Sequence, residues 1–185
     1  MSLTALSRTE MDGERKEIFD NTLYVVEEAL RSLREISNNL SPHVLSDFGL
    51  ARAIQTFIDR STTLHNVKIS FATNLRGDRY NSDIEVNMYR VVCELITNSL
   101  KHSGCSNIHL SLSVSGDILE LQYSDNGRGF NPQAMMDCGM GLSNINSRIN
   151  SLNGEFDIRS SRGRGMTATV KVNVRGAARL ETRPS

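Results

Sequence analysis

The sequence predicts a two-layer α/β sandwich, with helices on one face of a mainly antiparallel sheet and one long helix in front of it. Three observations predict this class. Two hairpin patterns with alternating apolar residues run from Ile108 to Tyr123 and from Phe156 to Val174. Separate stretches with helical apolar spacing stand before, between and after the strands. Only some neighbouring strands are linked through a helix, which excludes a doubly wound parallel sheet.

The segment from about Asp12 to Leu40 reads as a single helix. Leu23, Val26, Leu30, Leu33, Ser37 and Leu40 recur at alternating spacings of three and four, the seam of a helix that pairs with other helices. Phe19 extends the seam, while Ile18, Val25, Ala29 and Ile36 widen it. Asp12, Glu14 and Glu17 come early and Arg31 and Arg34 late, as the helix dipole favours. Pro42 is expected to stop this helix, and a shorter one follows over Phe48–Ile58. Val67, Ile69 and Phe71 alternate with Lys68, Ser70 and Ala72 as a half-buried strand. Ile84, Met88, Val91, Val92, Leu95 and Ile96 then mark a buried helix from Ser82 to about His102. The first hairpin turns at Gly116-Asp117, and a helix over Leu142–Leu152 is closed by Asn153-Gly154. The second hairpin turns over Ser160–Gly165, and beyond Arg175 all periodicity is lost, as in a disordered tail.

Of the 185 residues, 21 are Lys or Arg and 21 are Asp or Glu, so net charge gives no warrant for a nucleic-acid or membrane-surface binder. Hydrophobic residues make up 38%, enough for a core, without the roughly 18-residue apolar run of a membrane span. The three cysteines, Cys93, Cys105 and Cys138, have no metal-ligand spacing and are odd in number, which fits a reducing compartment. Cys93 reads as core packing.

Four local features carry chemistry. Glu94 and Asn98 are four apart on the buried helix and Lys101 is seven from Glu94, so a carboxylate, an amide and an ammonium share one stripe. Such a set can orient water, ligate a hard cation and neutralise phosphate; it is equally what a solvated helix face presents. Ser124-Asp125-Asn126-Gly127-Arg128-Gly129-Phe130 directly follows a strand, which lets backbone approach a flat ligand and places Asp125 to accept from a base amino group. Gly139-Met140-Gly141-Leu142 precedes a helix whose free N–H groups suit phosphate. Gly163-Arg164-Gly165-Met166-Thr167 leads into the last strand. Each Gly-X-Gly taken singly is also an ordinary tight turn.

Together these segments resemble the N box, the two glycine boxes and the closing Gly-X-Gly-X-Thr of the ATP-binding domain shared by sensor histidine kinases, gyrase-type topoisomerases, Hsp90-type chaperones and MutL-type proteins. Asn98 to Ser103, Asp125 to Phe130 and Gly139 to Ile145 look most like the NarL/DesK-type histidine kinases, as does the Leu40-Ser41-Pro42 junction followed by Leu45 and Gly49-Leu50.

The resemblance implies a Bergerat-type ATP-binding fold over 42–175, preceded at 10–41 by the second helix of a dimerisation and phosphoacceptor hairpin whose first helix is absent, with 176–185 as the tail. By similarity Asn98 would ligate Mg2+, Glu94 would support the metal water or polarise the attacking group, and Lys101 or His102 would contact phosphate. Asp125 would bond the adenine amino group within the turn that holds Gly127, with Gly129 beside the base. Thr167, after Gly165, would reach the same edge through water. Gly139 and Gly141, next to Leu142, would admit the phosphates of ATP below a lid from Pro132 to Met140.

One departure stands out. Kinases of this type carry a phosphoacceptor histidine followed by Asp or Glu, yet His43 precedes Val44, His65 precedes Asn66, His102 precedes Ser103 and His109 precedes Leu110. The expected function is therefore the ATP-binding catalytic fragment of a two-component sensor histidine kinase, an ATP-dependent phosphotransferase acting on a histidine outside this segment. Its implied partners are a second copy through the N-terminal helix and a response regulator, with no nucleic acid. The resemblance leaves room upstream for a membrane-spanning sensor, this portion then being cytoplasmic and the full-length protein lying in the bacterial inner membrane. A serine- or aspartate-directed kinase or stand-alone ATPase on the same fold is disfavoured by the helical seam. A decayed nucleotide-binding signalling module is disfavoured by the presence of Glu94, Asn98, Asp125 and the glycine pairs.

Overall fold

The computed structural model describes Thr22 and residues 42–131 and 140–175. The long helix expected over 10–41, the lid residues 132–139 with Cys138 and Gly139, and the tail 176–185 lie outside the described residues. The chain divides into two units, Met1–Pro42 and His43–Ser185, and the description below concerns the second.

The elements run α1 (Pro42–Leu64), β1 (Lys68–Thr73), α2 (Ser82–Asn98), a π-helical turn (Ser99–Ser103), β2 (Asn107–Ser115), β3 (Ile118–Asp125), α3 (Met140–Ser151), β4 (Glu155–Ser160) and β5 (Met166–Asn173). The five strands form one sheet in the order β1-β2-β3-β5-β4, in which only β1 and β2 are parallel. A parallel pair needs a crossover, and α2 supplies it.

Period-two patterning places the core. Ile108, Leu110 and Leu112 of β2, Leu119, Leu121 and Tyr123 of β3, and Met166, Ala168, Val170 and Val172 of β5 are buried on one face of the sheet. His109, Gln122, Thr167 and Lys171 stand exposed on the other. Against the apolar face lie Leu50, Ile54 and Ile58 of α1, six apolar side chains of α2 from Ile84 to Ile96, and Ile145 and Ile149 of α3. Burying one such side chain is worth about 1.5–3 kcal/mol, so this single apolar layer is the main source of stability. Phe57 and Tyr89 join α1 to α2 edge-to-face, with ring centroids 6.4 Å apart.

Two stretches differ from the sequence expectation. Helix α1 begins at Pro42, whose fixed φ and missing N–H suit a helix's first turn, and it breaks at Gly49, where φ is 77°. A β-carbon at Gly49 would lie 3.2 Å from Arg79 Cδ. Arg79 explains the approach: its guanidinium donates through Nε and Nη2 to Glu85, both at 3.0 Å, and through Nη1 to the Ser46 carbonyl at 2.7 Å. Glu85 is buried in the first turn of α2, where it also accepts from the Tyr80 N–H and suits the helix dipole. The bond and charge of Glu85 raise the Arg79 pKa, so the pair stays ionised.

The second difference is at the end of α2. The α-helix stops at Asn98 and continues as the π-helical turn, capped by Gly104 at φ 65°. The α-helical spacing that set Lys101 on the Glu94–Asn98 stripe therefore does not run unbroken to it.

Candidate functional site

Asp125 ends the inward row Leu119, Leu121, Tyr123 of β3, so a carboxylate occupies the position where the apolar face of the sheet runs out. A buried carboxylate needs donors, and two are present. Oδ2 accepts from Ser99 Oγ at 2.6 Å and Oδ1 from the Gly127 N–H at 2.8 Å. The Ser99 hydroxyl oxygen in turn lies 2.7 Å from the Tyr123 hydroxyl. Burial pushes the Tyr123 phenol well above its ordinary pKa, so it remains a donor.

Around Asp125 the motif segments are tied to one another. The Arg128 N–H donates to the Ser103 carbonyl at 2.8 Å, and the Arg128 carbonyl accepts from the Gly163 N–H at 2.6 Å. Ser160 Oγ accepts from the Phe130 N–H and donates to the Gly165 carbonyl. The Asn126 side-chain oxygen accepts from the N–H groups of Ser106 and Asn107, holding the loop to the start of β2.

The glycines are explained by these contacts. A β-carbon on Gly127 would stand 2.5 Å from Ser103 Cβ, and one on Gly165 would strike the Asp125 carbonyl. One on Gly129 would strike the carbonyl of Ser161. The sequence argument gave Gly127 and Gly129 to close approach of a ligand; in the structure the close approach is loop against loop, which sets the shape of the floor beside Asp125.

At the other end, Asn98 Nδ2 donates to Glu94 Oε1 at 3.2 Å, the i, i+4 contact expected on α2. Gly141, in the first turn of α3, faces this pair. The free oxygens of Glu94 and Asn98 are hard donors of the kind Mg2+ takes, so the residues present fit that ion. Leu142 packs on the core edge, and Lys101 and His102 are exposed in the π-helical turn.

Thr167 is not brought to Asp125. The β3–β5 register pairs Asp125 with Met166 and Ser124 with Thr167, and adjacent residues of a strand face opposite sides. Thr167 is exposed on the polar face, its hydroxyl 3.5 Å from the Arg159 carbonyl, while buried Met166 shares the Asp125 face. Ser99 and Tyr123 were missed by sequence reasoning. Tyr123 stands two residues before Asp125 on one strand face, and Ser99 follows Asn98; that adjacency was the available signal.

A separate open groove of about 540 Å³, lined in part by Ser113, Glu120, Asn153 and Lys171, lies toward the opposite end of β3 from Asp125. It shares no residue with this site.

Residues 83–176, just over half of the chain, match the sequence profile of the Histidine kinase-, DNA gyrase B-, and HSP90-like ATPase family. The chain belongs to this family. All four segments that meet around Asp125 and Glu94 fall inside the matched range, and ATP binding goes with membership. The oxygen sensor histidine kinase NreB of Staphylococcus carnosus (strain TM300) is 27% identical over 168 residues, covering 87% of this chain and 48% of the relative. The sensor histidine kinase ComP of Bacillus subtilis (strain 168) is 27% identical over 169 residues, covering 86% of this chain and 22% of its own length. This ATPase-family chain thus spans about half or less of these relatives. The blue-light activated histidine kinase of Erythrobacter litoralis EL346 shares its fold, with a TM-score of 0.55 at 16% identity over 68% of this chain and 42% of that one.

Proposed function

We propose that this chain is the ATP-binding catalytic part of a two-component sensor histidine kinase of the NarL/DesK kind, positioning Mg-ATP for phosphoryl transfer to a histidine outside this segment. The observation that carries the reading is the division of the site. A buried carboxylate, Asp125, stands among interlocked glycine loops at one end, and the Glu94–Asn98 pair, faced by Gly141, stands at the other.

In this reading Asp125 accepts from the adenine amino group, and Gly127, Gly129 and Gly165 shape the floor beside the base. Asn98 holds Mg2+, with Glu94 orienting its water or polarising the attacking group. The ion, when bound, neutralises charge on the phosphates. Lys101 and His102 contact the phosphates, and Gly139 and Gly141 make room for them beside Leu142. Thr167 has no part, because it faces away from Asp125. Phosphoryl transfer asks a protein mainly to position and neutralise, and these residues are suited to that.

The nucleophile comes from elsewhere. All four histidines lack a following Asp or Glu, and His109 is bound through Nδ1 to Ser70 Oγ at 2.7 Å on the exposed face of the sheet. The proposal extends to a homodimer through the helix at 10–41 and to a response regulator as the phosphoryl acceptor. It places this portion in the cytoplasm, with a membrane-spanning sensor upstream. Among the described residues no helix is long and apolar enough to cross a membrane.

The test is an incubation with terminally labelled ATP and a separately supplied helical hairpin carrying a histidine followed by Asp or Glu. The hairpin should acquire label and the chain alone should not. Strong labelling of the chain alone would refute the missing-acceptor reading.

A further inference from the structure

We infer that Tyr123 and Ser99 form a buried donor relay that makes Asp125 an acceptor only, so that the site selects a purine bearing a 6-amino group over one bearing a 6-keto group. The inference rests on the reading of Asp125 as the residue that meets the base, and it assigns the selectivity to two residues with no contact to the phosphate end.

Directions of donation follow from the inventory of protons. Ser99 Oγ lies 2.6 Å from Asp125 Oδ2, the short distance of a hydroxyl bonded to a charged oxygen. A carboxylate without a proton only accepts, so Ser99 spends its single proton on Asp125. The Ser99 oxygen is then left to accept, and the Tyr123 hydroxyl at 2.7 Å is the donor beside it. Tyr123 has one proton and a second acceptor in reach, the Leu95 carbonyl at 3.2 Å, the longer of its two contacts. The Gly127 N–H occupies the other carboxylate oxygen at 2.8 Å.

The consequence is a carboxylate held by one protein donor on each oxygen, with lone pairs left over and no proton to offer. An amino group on the base satisfies such a lone pair, whereas a keto oxygen brings its own lone pairs against it. Ser99 is 2% exposed and Tyr123 is 2% exposed, so water does not readily replace either donor. If Ser99 is lost, the carboxylate is free to turn or to take up a proton, and a protonated carboxyl can donate to a keto oxygen. Ser99 and Tyr123 are thus positioning residues, acting through Asp125.

The experiment compares ADP with inosine diphosphate, which differs at the 6-position of the base, in calorimetric titrations of the whole chain. The parent should prefer ADP. Ser99→Ala should reduce the ADP-to-IDP preference by about tenfold and Tyr123→Phe by about threefold, with Ser99→Thr restoring what Ser99→Ala loses. A purely structural disturbance would weaken both ligands equally and leave the ratio unmoved. Equal losses, or a parental ratio in both Ser99→Ala and Tyr123→Phe, would overturn the relay. If Ser99→Ala fails to fold, the ratio in Tyr123→Phe decides, since its ring packing is kept. Absence of any preference in the parent would overturn the reading of Asp125 itself, and the relay with it.

Discussion

A β-carbon on Gly141 would stand 2.8 Å from Glu94 Oε1, so the first turn of α3 and the last turns of α2 meet with no room for a methyl group. The same β-carbon would lie 3.1 Å from Asn98 Nδ2. The glycine that the sequence places before a helix is therefore also the surface against which the Glu94–Asn98 pair is set.

Replacing Gly141 with Ala should push that pair out of register without unfolding the domain. Alanine is intrinsically better than glycine inside a helix by about 1 kcal/mol, which offsets part of the crowding. Thermal melting should stay near the parent while the affinity for Mg-ATP falls by roughly tenfold, a loss of about 1.4 kcal/mol. Parental affinity would show that the contact has no bearing on the ligand.

Two neighbouring glycines should behave differently. Gly165 has φ 68° and its β-carbon would strike the Asp125 carbonyl, whereas Gly163 has φ 77° with nothing within 4 Å. Gly163→Ala should cost about 1–2 kcal/mol from the left-handed backbone alone. Gly165→Ala adds a backbone collision and should cost clearly more. Urea denaturation of the two variants checks the ranking, and equal midpoints would contradict it.

The Arg79–Glu85 pair gives a stability prediction away from the site. Glu85 is 2% exposed, so Arg79→Met leaves a buried carboxylate that has lost its counter-ion and should destabilise by about 3 kcal/mol or more. Adding Glu85→Met should recover much of the loss, because no buried charge remains. Denaturation of the single and double variants measures this coupling; additive losses would contradict it.

A thiol sets the alkaline limit. Burial pushes Cys93 from 9.0 up to about 12, an effect only partly opposed by a hydrogen bond with Tyr89. The unfolded thiol ionises near 9.0 while the folded one keeps its proton, so the folded state binds more protons in between. Stability should therefore fall as pH rises from 9 towards about 12, and Cys93 should contribute no slope below that window. Unfolding free energies measured between pH 8 and pH 10.5 should decline less steeply in Cys93→Ala than in the parent. Identical slopes would remove the assignment.

The parts of the fold that were legible in the sequence are those set by one strong period. Leu119, Leu121 and Tyr123 alternate without interruption, and Ile84 to Ile96 hold helical spacing, so both hairpins and α2 follow from apolar burial alone. The start of α1 was harder, because a proline that ends one helix also suits the first turn of the next. The π-helical turn at Ser99–Ser103 leaves no compositional mark.

The site was legible down to its motifs and less so at single residues. Asp125, Glu94, Asn98 and the glycines come together as their order implied. Thr167 failed by one residue: Met166 takes the inward position on β5, and a shift of one along a strand changes the face. Ser99 and Tyr123 escaped because their importance comes from a contact between α2 and β3, 24 residues apart in the chain.

The central claim is that Asp125 holds the base and Asn98 the metal. Its most direct test is the dissociation constant of ATP, measured by calorimetry across a range of Mg2+ concentrations, for the parent, Asn98→Ala and Asp125→Ala. The parent should bind ATP more tightly as Mg2+ rises. Asn98→Ala should lose that dependence but keep part of the affinity. Asp125→Ala should bind at least about tenfold more weakly at every Mg2+ concentration, because the base amino group then lacks its acceptor. Parental affinity in Asp125→Ala, or an unchanged Mg2+ dependence in Asn98→Ala, would contradict the account.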